Sequence, residues 1–152
     1  MSASFRIREA LLNRTPCFGT WIQAPAPAVA EVFADAGFSW VATDLEHTDI
    51  SLTQFSNLAR AMAHTRTSPL ARVRENDTLA IRRVLDAGAE GVLVPLVNSA
   101  AEARAAVAAA RYPPAGVRGF AFCRANGYGA RFDDNVRTAN ARTAVVVMIE
   151  SR

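Results

Sequence analysis

The residues able to do chemistry sit in a few short stretches. Trp21 and Gln23 close one apolar run, and Asp44-Leu45-Glu46-His47 follows a second. Arg72 and Arg74 end a third, and Glu150 ends the last. Carboxylates, an imidazole and guanidinium groups together suit proton transfer beside a carbonyl and stabilisation of the negative charge that develops on its oxygen. The chain has 17 basic residues, every one an arginine. Without lysine no side-chain amine can form a Schiff base, so carbonyl chemistry needs another electrophile, a metal ion or an arginine. Each residue also has a plainer reading. His47 could be a surface loop histidine, and Arg72 could simply pair with Asp44. Asp44 and Glu46 could serve as loop and helix-start residues, and Glu150 could be an exposed carboxylate. An arginine at the end of an apolar strand must nevertheless enter a largely buried rim, which is costly without a purpose.

The elements that would position these residues alternate. Apolar runs at Cys17–Ile22, Phe38–Thr43, Pro69–Val73, Gly91–Pro95 and Ala144–Ile149 read as buried strands. Between them lie helical patterns. Ser4 caps a helix over 5–13, and 28–36 forms another that ends at Gly37. Ser51 starts one running to His64, where the imidazole is a dipole partner. Asp77 starts one that stops at Gly88, and Ser99 starts an alanine-rich one to Arg111. The span 117–135 shows no period and is long for a connector, with a short helical turn expected over 134–141. Strand and helix in alternation give a parallel α/β fold, either a doubly wound sheet or a (β/α)8 TIM barrel. No G-x-G-x-x-G or G-x-x-x-x-G-K-S/T fingerprint follows any strand, which argues against nucleotide binding. In either fold the strand C-termini form the working rim, and Trp21, Gln23, Asp44, Glu46, His47, Arg72, Arg74 and Glu150 all fall there. A whole barrel takes about 250 residues. The expectation is that this chain supplies about the first five βα units, residues 1–152 being the N-terminal portion of one barrel domain, with roughly three units outside it.

Composition excludes several classes. Hydrophobic content of 51% with 20% charged residues fits a globular domain rather than a disordered chain. The net charge of +3 is spread between acids along the chain, unlike the clustered face of a nucleic-acid binder. Cys17 and Cys123 match no metal or redox spacing. The absence of a signal-like N-terminus and of a long apolar run points to a cytoplasmic protein without a membrane partner.

The segments Gly19-Thr20-Trp21, Asp44-Leu45-Glu46-His47, Ala71-Arg72-Val73, Leu85-Asp86-Ala87-Gly88-Ala89, Val94-Pro95, Arg111-Tyr112-Pro113-Pro114-Ala115-Gly116-Val117-Arg118-Gly119 and Ile149-Glu150-Ser151 together resemble the HpcH/HpaI aldolase family. These are the class II aldolases of 2-keto-3-deoxy-sugar acids and related 4-hydroxy-2-keto acids. The resemblance implies a TIM-barrel lyase that splits a 4-hydroxy-2-keto acid reversibly into pyruvate and an aldehyde. It implies His47 as acid/base, Asp86 as the carboxylate orienting His47, Arg72 on the keto oxygen and enolate, and Trp21 against the substrate. Glu150 would be one of two carboxylate ligands to a divalent metal ion (Mg²⁺, Mn²⁺ or Co²⁺), and the protein would be a homo-oligomer. Two departures stand out. The second metal-ligand Asp of the family, in a Gly-Pro-x-Asp segment, does not occur here, and Met148 stands where the family usually has Gln. The chain by itself is therefore expected to bind metal weakly and to be impaired in catalysis. Two other readings stay open: a citrate lyase β-like enzyme of acyl-CoA substrates, whose phosphates the arginines between Arg111 and Arg131 would meet, and a non-catalytic half-barrel that functions by association.

Overall fold

The structure, a computed structural model, describes residues 7–151. Five strands form: β1 Gly19–Ile22, β2 Trp40–Asp44, β3 Ser68–Arg72, β4 Gly91–Val94 and β5 Ala144–Val147. Six helices accompany them: α1 Ile7–Leu12, α2 Pro27–Asp35, α3 Leu52–Ala61, α4 Thr78–Asp86, α5 Ala100–Ala110 and α6 Phe132–Arg142. A 3-10 turn covers Arg124–Asn126. The expected Ser4 cap lies outside the described residues.

Local chemistry explains the boundaries. Ser51 Oγ accepts from the Gln54 amide at 3.3 Å while Gln54 Oε1 accepts from the Ser51 amide at 2.7 Å. Ser99 and Glu102 form the same reciprocal box on α5, and Asp77 Oδ1 accepts from the Ala80 amide on α4. Gly37 and Gly88, at φ +85° and +107°, end α2 and α4 in the left-handed region. α6 is longer than the short turn expected. It is mostly polar and buries only Ala139, so it shows little apolar period, although Asp133 and Asp134 favour its N-terminus. His64 lies past the end of α3 at φ +70° rather than in its last turn.

The sheet is wholly parallel with order β1-β2-β3-β4-β5. That order decides between the two α/β readings. A doubly wound sheet reverses direction at a switch point, whereas here each strand is laid beside its predecessor on the same side, as in a barrel. Alternation then divides the side chains. Val41, Ala71, Val92 and Val94 face the helices and pack among Phe55, Leu58, Ile81, Leu85 and Ala106. Ala42, Leu70, Leu93 and Ala144 face the other way with Ile7, joined by Trp40, Val146 and Met148. Two residues along that second face from Ala42 and Leu70 stand Asp44 and Arg72. Among the described residues, no helix is long and apolar enough to cross a membrane.

Candidate active site

The β2–β3 register sets Asp44 beside Arg72, and their side chains lock together. Arg72 Nε donates to Asp44 Oδ1 at 3.0 Å, and Nη2 donates to Oδ2 at 2.6 Å. Gln23 Nε2 adds a third bond to Oδ2 at 2.9 Å. The backbone amides of Glu46 and His47 both donate to Oδ1 at 3.1 Å, which curls the loop after β2 around the carboxylate. Asp44 is fully buried. Burial alone would raise its pKa, but hydrogen bonds from Arg72, Gln23 and the His47 amide, with the charge of Arg72, hold it well below the usual carboxylate range. Arg72 is stabilised as a cation by its bond to Asp44 against the opposing effect of burial, with the charges of Asp44, Glu46 and Glu150 adding to it.

Around this pair stand the other rim residues. The Arg72 guanidinium lies 4.9 Å from the Trp21 ring centre, a cation–π contact. Glu46 Oε2 is 3.3 Å from Arg72 Nε and 3.6 Å from His47 Nε2, yet it is buried without a hydrogen bond. The His47 side chain is 66% exposed, so its imidazole reaches open space above the rim. Glu150 is exposed and its Oε2 accepts from the Leu96 amide at 2.9 Å. Leu96 sits at φ +53°, a cost of about 1 kcal/mol that aims this amide at the carboxylate. Arg72 Nη1 has no partner among the described residues. The arrangement is a preformed cation with a free donor, next to an exposed imidazole and two carboxylates.

The family model for HpcH/HpaI aldolase/citrate lyase matches residues 17–152. The chain belongs to this family. The 4-hydroxy-2-oxo-heptane-1,7-dioate aldolase of Shigella sonnei is 39% identical across 100% of this chain and 58% of its own length. The hydroxypyruvate/pyruvate aldolase of Paraburkholderia phytofirmans is 40% identical, with 95% and 58% covered. A solved HpcH/HpaI aldolase/citrate lyase family protein from Burkholderia cenocepacia superposes with a TM-score of 0.89 at 33% identity, covering 95% of this chain and 59% of that one. The chain thus spans a little over half the length of the relatives it matches.

Within this HpcH/HpaI chain the structure brings together Trp21, Arg72, His47 and Glu150, with Asp44, Gln23 and Glu46. It does not bring Asp86 to His47. α4 runs back antiparallel to the strands, so its last residue, Asp86, lies at the other end of the layer from the loop after β2. There Asp86 accepts from Arg118 Nη2 at 2.8 Å. The carboxylate facing His47 in this chain is Glu46. Arg74 follows the end of β3 at Arg72, and its Nε donates to the Leu45 carbonyl at 2.9 Å. Of the arginines between Arg111 and Arg131, Arg118 bonds Asp86 and Arg124 bonds the carbonyls of Ala59 and Ala87, away from this rim. Gln23 stands after β1 on the rim, and its bond to Asp44 gives it a positioning role that residue type alone does not reveal.

A divalent cation would find only part of its ligand set here. Among the described residues, no three His, Cys, Asp or Glu side chains cluster. Asp44 is saturated by its five donors. Among the described residues, Glu150 Oε1 makes no hydrogen bond and Glu46 Oε2 is a buried orphan. Both act electrostatically on Arg72. Hard carboxylate oxygens of this kind fit Mg²⁺ or Mn²⁺ as part of a ligand set.

Proposed function

We propose that residues 1–152 are the N-terminal portion of a single (β/α)-barrel aldolase domain, a class II enzyme that cleaves 4-hydroxy-2-keto acids reversibly to pyruvate and an aldehyde. The observation that supports this best is the Asp44 carboxylate, which orients Arg72 through two bonds and anchors the His47 backbone with a third. Arg72 Nη1, which has no hydrogen-bond partner among the described residues, would donate to the keto oxygen. In the cleavage direction His47 takes the proton from the C4 hydroxyl, the C3–C4 electron pair moves into the enolate, and the aldehyde leaves. Arg72 holds the enolate oxygen as its charge grows, and a proton returned to C3 completes pyruvate. Trp21 packs against Arg72 and limits its motion. Glu150 would hold a divalent metal ion together with ligands beyond the described residues. When bound, that ion supplies Lewis acidity toward the 2-keto acid.

The test is exchange of the pyruvate C3 protons for deuterium, followed by NMR with Mg²⁺ or Mn²⁺ present and absent. It needs no knowledge of the aldehyde. The reading expects metal-dependent exchange that is weak in this chain, because Glu150 is the one carboxylate here assigned to the metal, and that disappears in His47→Ala. Exchange as fast in His47→Ala as in the parent chain, or unchanged when the ion is removed, would overturn it.

A further inference from the structure

We propose that the end of the sheet opposite the catalytic rim carries a separate binding site for a compact polyanion, one with two or more negative charges on phosphoryl or carboxylate oxygens. Two cavities open there, of about 480 and 650 Å³. They share His64, Gly88, Glu90, Arg124 and Arg131 in their walls and so form one groove. Each lies within the range of about 300–1,000 Å³ common for small-molecule sites.

The groove is strongly basic. Arg124 and Arg131 line both cavities, Arg118 and Arg142 line the first, and Arg66 lines the second. Glu90 is the carboxylate among its described lining residues. Arg118 is matched by Asp86 at 2.8 Å, and Arg142 approaches Asp134 at 3.8 Å. Arg66, Arg124 and Arg131 have no acid partner among the described residues. Arg124 is half-buried and donates to the carbonyls of Ala59 at 3.1 Å and Ala87 at 3.3 Å. Those contacts use the carbonyl ends of α3 and α4 to hold the guanidinium in place without neutralising it. Like charges gathered in one concavity repel, and a small multivalent anion relieves that repulsion. Planar guanidinium forks match the oxygens of phosphate and carboxylate groups and can bind them in pairs.

This groove is not the catalytic site seen from another side. Pro69 lines it, while Arg72 forms the rim three residues further along β3. That separation is about 10 Å of strand, and alternation puts Pro69 and Arg72 on opposite faces of the sheet. An anion held here touches neither His47 nor Arg72, so it would act as an effector or anchor rather than as the reacting molecule. The proposal does not depend on the aldolase reading.

Calorimetric titration of the full chain with pyrophosphate, and separately with citrate, at fixed ionic strength tests it. The informative variant is Arg66→Gln with Arg131→Gln, since both side chains are exposed and neither makes a hydrogen bond among the described residues. Charged hydrogen bonds lost at two positions should weaken saturable 1:1 binding by about 100-fold. Arg104→Gln, on exposed α5 surface, should leave it unchanged. Tighter binding of pyrophosphate identifies a phosphoryl ligand, and tighter binding of citrate a polycarboxylate. No saturable binding of either anion, equal weakening by Arg104→Gln, or loss of binding in Arg72→Lys instead of the double variant would each overturn the site.

Discussion

Asp44 and Arg72 are the residues on which the rim depends, and their coupling makes specific demands. Arg72→Lys keeps the charge but loses the fork that meets two Asp44 oxygens. A lysine reaching Asp44 would have no fixed donor left over for a keto oxygen. Pyruvate exchange should therefore fall about 100-fold, the usual cost of losing a donor to a developing oxyanion. Asp44→Asn removes a buried charge facing a mostly buried guanidinium, so it should destabilise the fold by about 3–5 kcal/mol in urea titration. The depressed pKa of Asp44 also fixes a pH dependence. The unfolded chain binds a proton to this carboxyl near pH 4, while the folded chain resists protonation to lower pH. Between those values the unfolded state holds more protons, so the stabilisation is complete above about pH 4 and is lost as pH falls below it. Urea midpoints at pH 3 and pH 7 should differ more in the parent chain than in Asp44→Asn. These residues were readable as rim chemistry because strand period and residue type are local. Their partners were not: no local pattern says that Gln23 completes Asp44, or that Glu46 rather than Asp86 faces His47.

At the scale of elements, most helices were legible because their ends carry their own instructions. The Ser51 and Ser99 boxes and the Asp77 cap act within one turn, so sequence order alone specifies them. Ser99→Ala should cost about 1 kcal/mol of stability by thermal or urea unfolding. Gly88 has a second, non-local role. A Cβ there would lie 1.9 Å from Arg124 Nη1, and the φ of +107° strains any other residue. Gly88→Ala should therefore cost more than the roughly 1 kcal/mol of a simple helix-stop replacement. It should also displace Arg124 from the ends of α3 and α4, which the line widths of amides near Ala59 and Ala87 would report. α6 leaves little amphipathic signal because it buries only Ala139 and is anchored otherwise by Phe132 ring contacts and by Asn140 hydrogen bonds to the Tyr112 backbone.

For the whole molecule, sequential strand order puts β2, β3 and β4 between two neighbours each and leaves β1 and β5 at the margins of this chain's sheet. β3 is buried along nearly its whole length, whereas β5 is only partly buried after Ala144. Amide hydrogen exchange should therefore be slow in β3 and clearly faster in β5, because protection follows pairing and burial on both sides. Equal protection of the two strands in this chain would contradict the described packing. The same order separates two ends with different electrostatics, the acid-and-arginine rim and the basic groove, which a charge count of +3 spread along the chain conceals.

The sequence alone determined the alternation of strand and helix, the caps, and the face on which Trp21, Asp44, Arg72 and Glu150 stand. All of these follow from periods of two and 3.6 residues and from hydrogen bonds spanning at most one turn. Only the tertiary structure decided strand order, the five-donor saturation of Asp44, the pairing of Asp86 with Arg118, and the gathering of Arg66, Arg124 and Arg131 into one concavity. The bonds that Gln23, Arg118 and Arg124 make join residues from about 20 to 65 positions apart. They depend on which ends of which elements meet after packing, a relation that carries no local pattern.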